Sequence, residues 1–306
     1  MRYTKPALTY DQQIELLLAR GLAIPDRERA LHWLKRKGYF RLSAYFVPFK
    51  IYGTDQYTPG STFTDVIKLY KFDAHLRLLM IKAIDRVEVA LRASITYHFA
   101  HVLGPFGYTD AAHFTPFVPS PGAGIAATGF DHVFLMKRIE TEVTQSKEEF
   151  VRHYVTKYTS EVHLPIWMLT ELMPFGMLSK MTEGVKKSLR KQIAKDFGIA
   201  QSQLTSWMET LTYIRNICAH HSRLWNRELS LKPELLKEWK VDGISNTRIY
   251  CVFMVLDHIL RHASPRSRWK DMLMISILEN PHIDLKAMGF PAHWMDLPPW
   301  DVSLIR

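Results

Sequence analysis

Residues 209–227 carry Glu209, Arg215, Asn216, His220, Arg223 and Arg227 among apolar neighbours. At about 100° per residue, one helix over that stretch puts Leu211, Ile214, Cys218 and Trp225 on one side. It puts Glu209, Asn216, His220, Arg223 and Arg227 on the other, with Arg215 on the flank. A histidine gives or takes a proton near neutral pH. An arginine holds a fixed charge and a planar fork that matches phosphate. An asparagine orients a neighbour or donates to a phosphate oxygen. None of these groups requires a metal. Together they suit cleavage of an RNA phosphodiester, in which the 2′-hydroxyl is the nucleophile and the protein supplies protons and charge.

Other chemistries fit the same residues. Arg215 and His220 could hold RNA without cutting it, or cross-brace a helical bundle and bind nothing. Bracing leaves the polar front of Asn216, Arg223 and Arg227 without a purpose. A metal hydrolase built on His220 and His221 fits poorly: adjacent helical residues diverge by about 100°, and no Glu stands at ligand spacing. His221 falls near the core face and reads as a satisfied, semi-buried histidine.

Arg215-Asn216-Ile217-Cys218-Ala219-His220 matches the Arg-x4-His signature of HEPN ribonucleases. Residues 215–227 together resemble the bacterial abortive-infection (Abi) family, AbiD- and AbiF-like. Three further stretches are similar to motifs of that family: Gly38 to Tyr45, Leu69 to Asp73, and Arg86 to Arg92. The similarity runs in order from about residue 6 to about residue 227. The resemblance implies an all-α fold: a HEPN-like helical bundle with an N-terminal helical subdomain and C-terminal helices. It implies a metal-independent endoribonuclease without cofactor, with His220 as general acid or base. Arg215 would steady the phosphorane, and Asn216 would orient the substrate or His220. Sites in that family are usually composite, two Arg-x4-His motifs meeting across a dimer. The chain has one such motif, so a homodimer is expected. The family also implies a toxin that arrests growth during phage infection, held silent in some members by a non-coding RNA. The alternative is a non-catalytic HEPN-like RNA-binding protein.

The chain has 306 residues, 47% of them hydrophobic, enough for one large core or two modest ones. Forty basic against thirty acidic residues give a net charge of +10. That balance favours a polyanionic partner without choosing among RNA, DNA and an anionic surface. Cys218 and Cys251 both lie in apolar helical patterns and read as buried small hydrophobes, not a bridge or metal site. Met1 to Pro6 lacks the apolar run of a signal peptide, and no uncharged apolar stretch approaches a membrane span. The expectation is a cytoplasmic protein without membrane contact.

Three regions are expected: 1–60, an N-terminal helical subdomain; 61–265, the HEPN-like core; and 266–306, a C-terminal helix with an irregular tail. Asp11 reads as the cap of a first helix with Ile14, Leu17 and Leu18 buried, and Asp26 as the cap of a second with Leu31 and Leu34 inside. Residues 39–46 form a third, and 52–62 a turn region. Arg41 fixes the subdomain through a salt bridge or carbonyl contact, or else touches a phosphate. Leu69, Phe72, Leu76, Leu79, Ala83, Val87, Leu91 and Ile95 recur at helical spacing, marking a long helix over 65–102. Asp73 with Arg77 and Glu88 with Arg92 stand four apart, the spacing of solvated ion pairs on a helix face. Alternatively Arg86, Glu88 and Arg92 face the active helix and orient its Arg and His.

Residues 104–129, rich in Pro and Gly, read as a long loop, with His113 incidental to function. Helices resume over 130–158. Pro165 opens another, with an apolar stripe of Trp167, Met168, Leu172 and Met177 broken at Pro174 and Gly176. Glu171 beside that stripe would hold Arg215 in place or pair with the basic segment after it. That segment (Lys180, Lys186, Lys187, Arg190, Lys191) is the most basic run, and is read as a track for the RNA backbone, with Arg227 as a further RNA contact. Short helices are expected over 233–240, 247–262 and 268–278. Residues 281–306 lack a period, and no role is assigned to them.

Overall fold

The computed structural model describes residues 2, 6–116 and 130–300. The expectations for the loop at 117–129 and the tail at 301–306 lie outside these residues. Among the described residues there are thirteen α-helices, a few 3-10 turns and three isolated bridges, with no strand. The fold is all-α, as expected. The chain divides into two compact units. One comprises Met1–Leu78 with Leu273–Ile283, the other Leu79–Met272 with Asp284–Arg306.

In the first unit α1 (Tyr10–Ala19) starts two residues earlier than expected. Its cap is Thr9, not Asp11. Thr9 accepts from the Gln12 amide, and the Gln12 side chain accepts from the Thr9 amide. This reciprocal box satisfies two orphan donors where a single Asp would satisfy one. Ile14 and Leu17 are buried, but Leu18 is exposed. Helix α2 (Arg27–Lys37) is capped by Asp26 as expected, with Ala30 and Leu34 in the core and Leu31 half-buried. Gly38, at φ +79°, turns the chain directly into α3 (Tyr39–Phe46). Helix α3 buries Leu42, Tyr45 and Phe46 and leaves Phe40 and Arg41 exposed.

The long helix α4 (Phe63–Leu103) buries every residue of its predicted stripe. The Asp73 and Arg77 pair corrects the expectation of a solvated pair. Asp73 is fully buried, Arg77 nearly so, and both meet the Tyr45 hydroxyl, which donates to Asp73. Burial and the Asp73 carboxylate push the Tyr45 phenol up, so it stays a donor at any working pH. The motif residues Tyr45 and Asp73 thus meet in a buried polar cluster of the first unit.

In the second unit the remainder of α4 packs among short helices. These include α5 (His132–Gln145), α6 (Glu149–Lys157), α7 (Ile166–Leu172), α8 (Phe175–Gly184), α9 (Lys187–Asp196) and α10 (Gln201–Ala219). The part of the expected loop that is described, 104–116, is ordered by 3-10 turns and by the Phe114–Val185 bridge. His113 Nδ1 there donates to the Gly107 carbonyl at 2.8 Å, a local brace. After α11 (Lys237–Val241) comes α12 (Ile249–Ala263), almost wholly buried, and then α13 (Trp269–Leu278), which begins in this unit. The tail, read as aperiodic and without a role, is core: Met288, Phe290, Trp294 and Trp300 are buried, and Phe290 packs on Tyr250 of α12 with ring centres 4.5 Å apart.

His258 of α12 joins this core to α10. Its Nε2 donates to the Phe197 carbonyl at 2.9 Å, and its ring stands edge-on to Trp207 of α10 at 5.3 Å. Burial, the largest influence, pushes its pKa below the ordinary value. An unfolded histidine titrates at about 6.5. The unfolded chain therefore takes up this proton first as pH falls, and stability present above that pH is lost below it. Thermal melts at neutral pH and at about pH 5 should show a fall in midpoint that shrinks in His258→Gln. An equal fall in both proteins would refute this role.

Candidate active site

Helix α10 carries the predicted chemistry. Its back buries Leu204, Trp207, Met208, Leu211, Ile214, Ile217 and Cys218. Trp207 donates to the Glu234 carbonyl at 2.8 Å and stacks on Trp239 at 5.6 Å. These contacts fix how the helix is rotated about its axis. They leave Glu209, Arg215, Asn216 and His220 exposed.

The helix is shorter than the expected 209–227. It ends at Ala219 with His220 as cap. The His221 amide donates to the Cys218 carbonyl and the Ser222 amide to the Ile217 carbonyl, the paired bonds of a Schellman ending. His221 occupies the left-handed position, φ +55°, usually taken by glycine. It is exposed, not semi-buried against the core as expected. Arg223 and Arg227 consequently sit in the turn after the helix, not on its front.

That turn is pinned. Leu224 and Trp225 are buried. Asn226, also at positive φ, receives Arg248 on its carbonyl and its side-chain oxygen. The Leu229 amide donates to the Thr247 carbonyl. Arg223 and Arg227 are half-buried, and Arg227 Nε donates to the Arg223 carbonyl at 2.7 Å. Arg227 also reaches the Tyr213 phenol. Burial pushes that phenol up, but hydrogen bonds from Ser230 and Arg227 outweigh it and the net shift is downward. Arg227 is thus engaged in holding the turn, where a phosphate contact was expected.

Arg215, Asn216 and His220 differ from Arg227. Among the described residues their side chains have no hydrogen-bond or ion-pair partner. Cross-bracing of the bundle requires such partners. Asn216 and His220 lie one turn apart on the same face. Arg215 and His220 are separated by five residues, about 140° around the axis and about 7.5 Å along it. Tyr213, not singled out from the sequence, shares the stripe of Glu209, Asn216 and His220 at helical spacing. Its place three before Asn216 and seven before His220 is the signal that finds it.

The supporting residues are placed as follows. Glu88 and Arg92 of α4 form a half-buried pair at 2.8 Å, and Arg92 also donates to the Met173 carbonyl at 3.0 Å. Met173 joins α7 to α8. The pair therefore positions the start of α8; it does not touch Arg215 or His220. Helix α8 in turn lies against α10, where a side chain at Gly176 would meet Thr212 at 3.2 Å. Arg86 donates to the Ser267 hydroxyl at 3.1 Å, in the segment between α12 and α13. Replacing Arg92 with Leu should cost about 2–3 kcal/mol, because it leaves the Glu88 carboxylate and a carbonyl without their donor. A urea midpoint unchanged from wild type would refute this.

Glu171 is exposed and has no partner among the described residues, so it does not hold Arg215. The α7 stripe differs from expectation: Ile166, Leu169 and Met173 are buried, Met168 and Leu172 are half-buried and Trp167 is half-exposed. In the basic run, Lys186, Lys187 and Lys191 are exposed. Lys180 pairs with Glu183 at 2.8 Å and Glu209 at 3.5 Å. Arg190 is half-buried and donates to the Glu183 carbonyl in the last turn of α8, closing that helix. Its burial pushes its pKa down. Arg190 is a helix cap, where an RNA contact was expected.

A family model described as Abi-like protein matches residues 32–226. The chain belongs to the Abi-like family. The match takes in Gly38 to Tyr45, all of α4, all of α10 and the turn that follows. Membership of the Abi-like family points to abortive infection, a defence against phage. No curated protein and no solved structure gives a significant match. Among the described residues no helix is long and apolar enough to cross a membrane, and no cluster of His, Cys, Asp and Glu could hold a metal ion.

Proposed function

We propose that this Abi-like protein is a metal-independent endoribonuclease of HEPN type, an effector of abortive infection that cuts RNA in the cytoplasm. The reading rests on one observation. Arg215, Asn216 and His220, the Arg-x4-His signature, are exposed at the end of a firmly packed helix, their polar groups unengaged among the described residues. His220 moves the proton between the 2′-hydroxyl, the leaving 5′-oxygen and solvent. Arg215 stabilises charge on the phosphorane, a term that in enzymes generally is worth several kcal/mol. Asn216, one turn from His220, orients the phosphate.

The angular separation of Arg215 and His220 supports a homodimer. One copy presents them in diverging directions, and a second α10 facing the first supplies the missing partner. A non-coding RNA that covers this face would hold the protein silent. Lys186, Lys187 and Lys191, exposed on α9, are the remaining candidates for the backbone track.

The test is product chemistry. Cleavage should proceed in excess EDTA and leave a 2′,3′-cyclic phosphate or 3′-phosphate and a 5′-hydroxyl. RNA lacking the 2′-hydroxyl at the scissile position should resist. Loss of activity in EDTA, or products with a 3′-hydroxyl, would overturn the mechanism. RNA binding with no cleavage under any condition would leave a non-catalytic RNA-binding protein.

A further inference from the structure

The Gly38 to Tyr45 motif is only half explained by packing. Leu42 and Tyr45 serve the core, and Gly38 makes the turn between α2 and α3. Phe40 serves neither. It is 90% exposed, on a face of α3 that continues through half-buried Ser43 and Ala44 to Val47, itself 60% exposed. A second aromatic, Tyr52, stands fully exposed in the turn that follows.

The cations beside Phe40 are equally unspent. Five carboxylates of the first unit are committed elsewhere: Asp11 and Glu15 to Arg27, Asp55 to Arg20 and Lys50, Asp65 to Lys68, and Asp73 to Arg77. Asp26 caps the start of α2, and Glu28 lies in its first turn, about two turns from Lys35. Lys35, Arg36 and Lys37 are exposed and have no carboxylate partner among the described residues. Their position in the last turn of α2 suits the helix dipole, which accounts for positive charge there. The dipole does not account for a bare phenylalanine three residues beyond Lys37. Cations that follow a phosphate backbone, next to an open aromatic ring on which a base can stack, are what a single strand of RNA requires.

We propose that the α2–α3 corner of the first unit is a binding surface for single-stranded RNA, with Phe40 as the stacking platform and Lys35, Arg36 and Lys37 as the backbone contacts. Tyr52 offers a second platform. The inference rests on RNA being the partner, as proposed above, but not on RNA being cut. It gives the protein a grip on RNA that uses none of the residues of α10.

The test uses full-length protein carrying His220→Ala, to prevent turnover, and a fluorescent single-stranded oligoribonucleotide in an anisotropy titration. Phe40→Ala should weaken binding roughly five- to a hundred-fold, the usual worth of one stacked base, while Phe40→Trp retains it. Replacing Lys35, Arg36 and Lys37 together with Gln should lower the slope of log K against log salt by about two. Thermal melts of these surface variants should match the parent. Binding unchanged by Phe40→Ala and by the triple substitution would overturn the proposal. So would absence of RNA binding, or an effect confined to anionic vesicles. The two readings separate cleanly. Cleavage with binding indifferent to Phe40 removes the surface and leaves the nuclease. Phe40-dependent binding, with no cleavage by the protein that retains His220, leaves the surface and removes the nuclease.

Discussion

His220→Ala should lower RNA cleavage by at least about 100-fold and relieve growth arrest, since a positioned general acid or base typically contributes 10²–10⁴. Arg215→Ala should fall by a similar factor, because it removes fixed charge from the phosphorane. Neither change should disturb the fold. Both side chains are exposed and without partners among the described residues, so each substitution should move stability by no more than about 0.5 kcal/mol. Matching urea midpoints with lost cleavage would therefore locate the defect in chemistry. The divergence of Arg215 and His220 around α10 adds a stricter expectation. Each single variant should be inactive alone, and co-expression of the two should restore measurable cleavage through mixed dimers with one intact Arg and one intact His. Full activity of a stable monomer would sink the composite site. Retained cleavage by His220→Ala would sink the mechanism.

The largest effect on stability is expected at Arg77. Arg77→Met should destabilise the first unit by about 3–5 kcal/mol, because it takes the cation from a carboxylate that water cannot reach. Tyr45→Phe removes one hydrogen bond to the same carboxylate and should cost about 1–3 kcal/mol. Adding Asp73→Asn to Arg77→Met removes the buried charge as well as its partner, and should recover much of the loss. Denaturant melts of the three proteins decide the matter. If the double substitution is no better than Arg77→Met, the cost lies in lost packing of the arginine stem and not in the unpaired charge.

Much of this was legible without coordinates. The α4 stripe was read residue by residue, because burial in a long helix repeats every three to four positions and leaves its period in the composition. The exposure of Asn216 and His220 on the polar side of α10 was legible too, since residue type and spacing carry it. What failed depended on signals that act locally or at long range. The end of α10 was missed because His221 takes the left-handed position where glycine is the usual stop mark, so Arg223 and Arg227 were carried onto a helix face they do not occupy. Asp73 and Arg77 were read as solvated because spacing on one helix is blind to Tyr45 on another. Arg190 was counted with the RNA track because charge on paper does not show that it closes α8. The burial of the tail is not legible because Phe290 and Trp300 pack on Tyr250 of α12 and Trp294 packs on those two rings, without a repeat.

Sequence alone thus determined the helical class, the long core stripe and the polar side chains that gather on one side of α10, all of which follow from residue type and short-range period. Only the tertiary structure decided which polar groups are spent and which remain open. A hydrogen-bond partner distant in sequence, such as the carbonyl of Met173 for Arg92 or that of Phe197 for His258, is chosen by packing, and packing is not written in spacing.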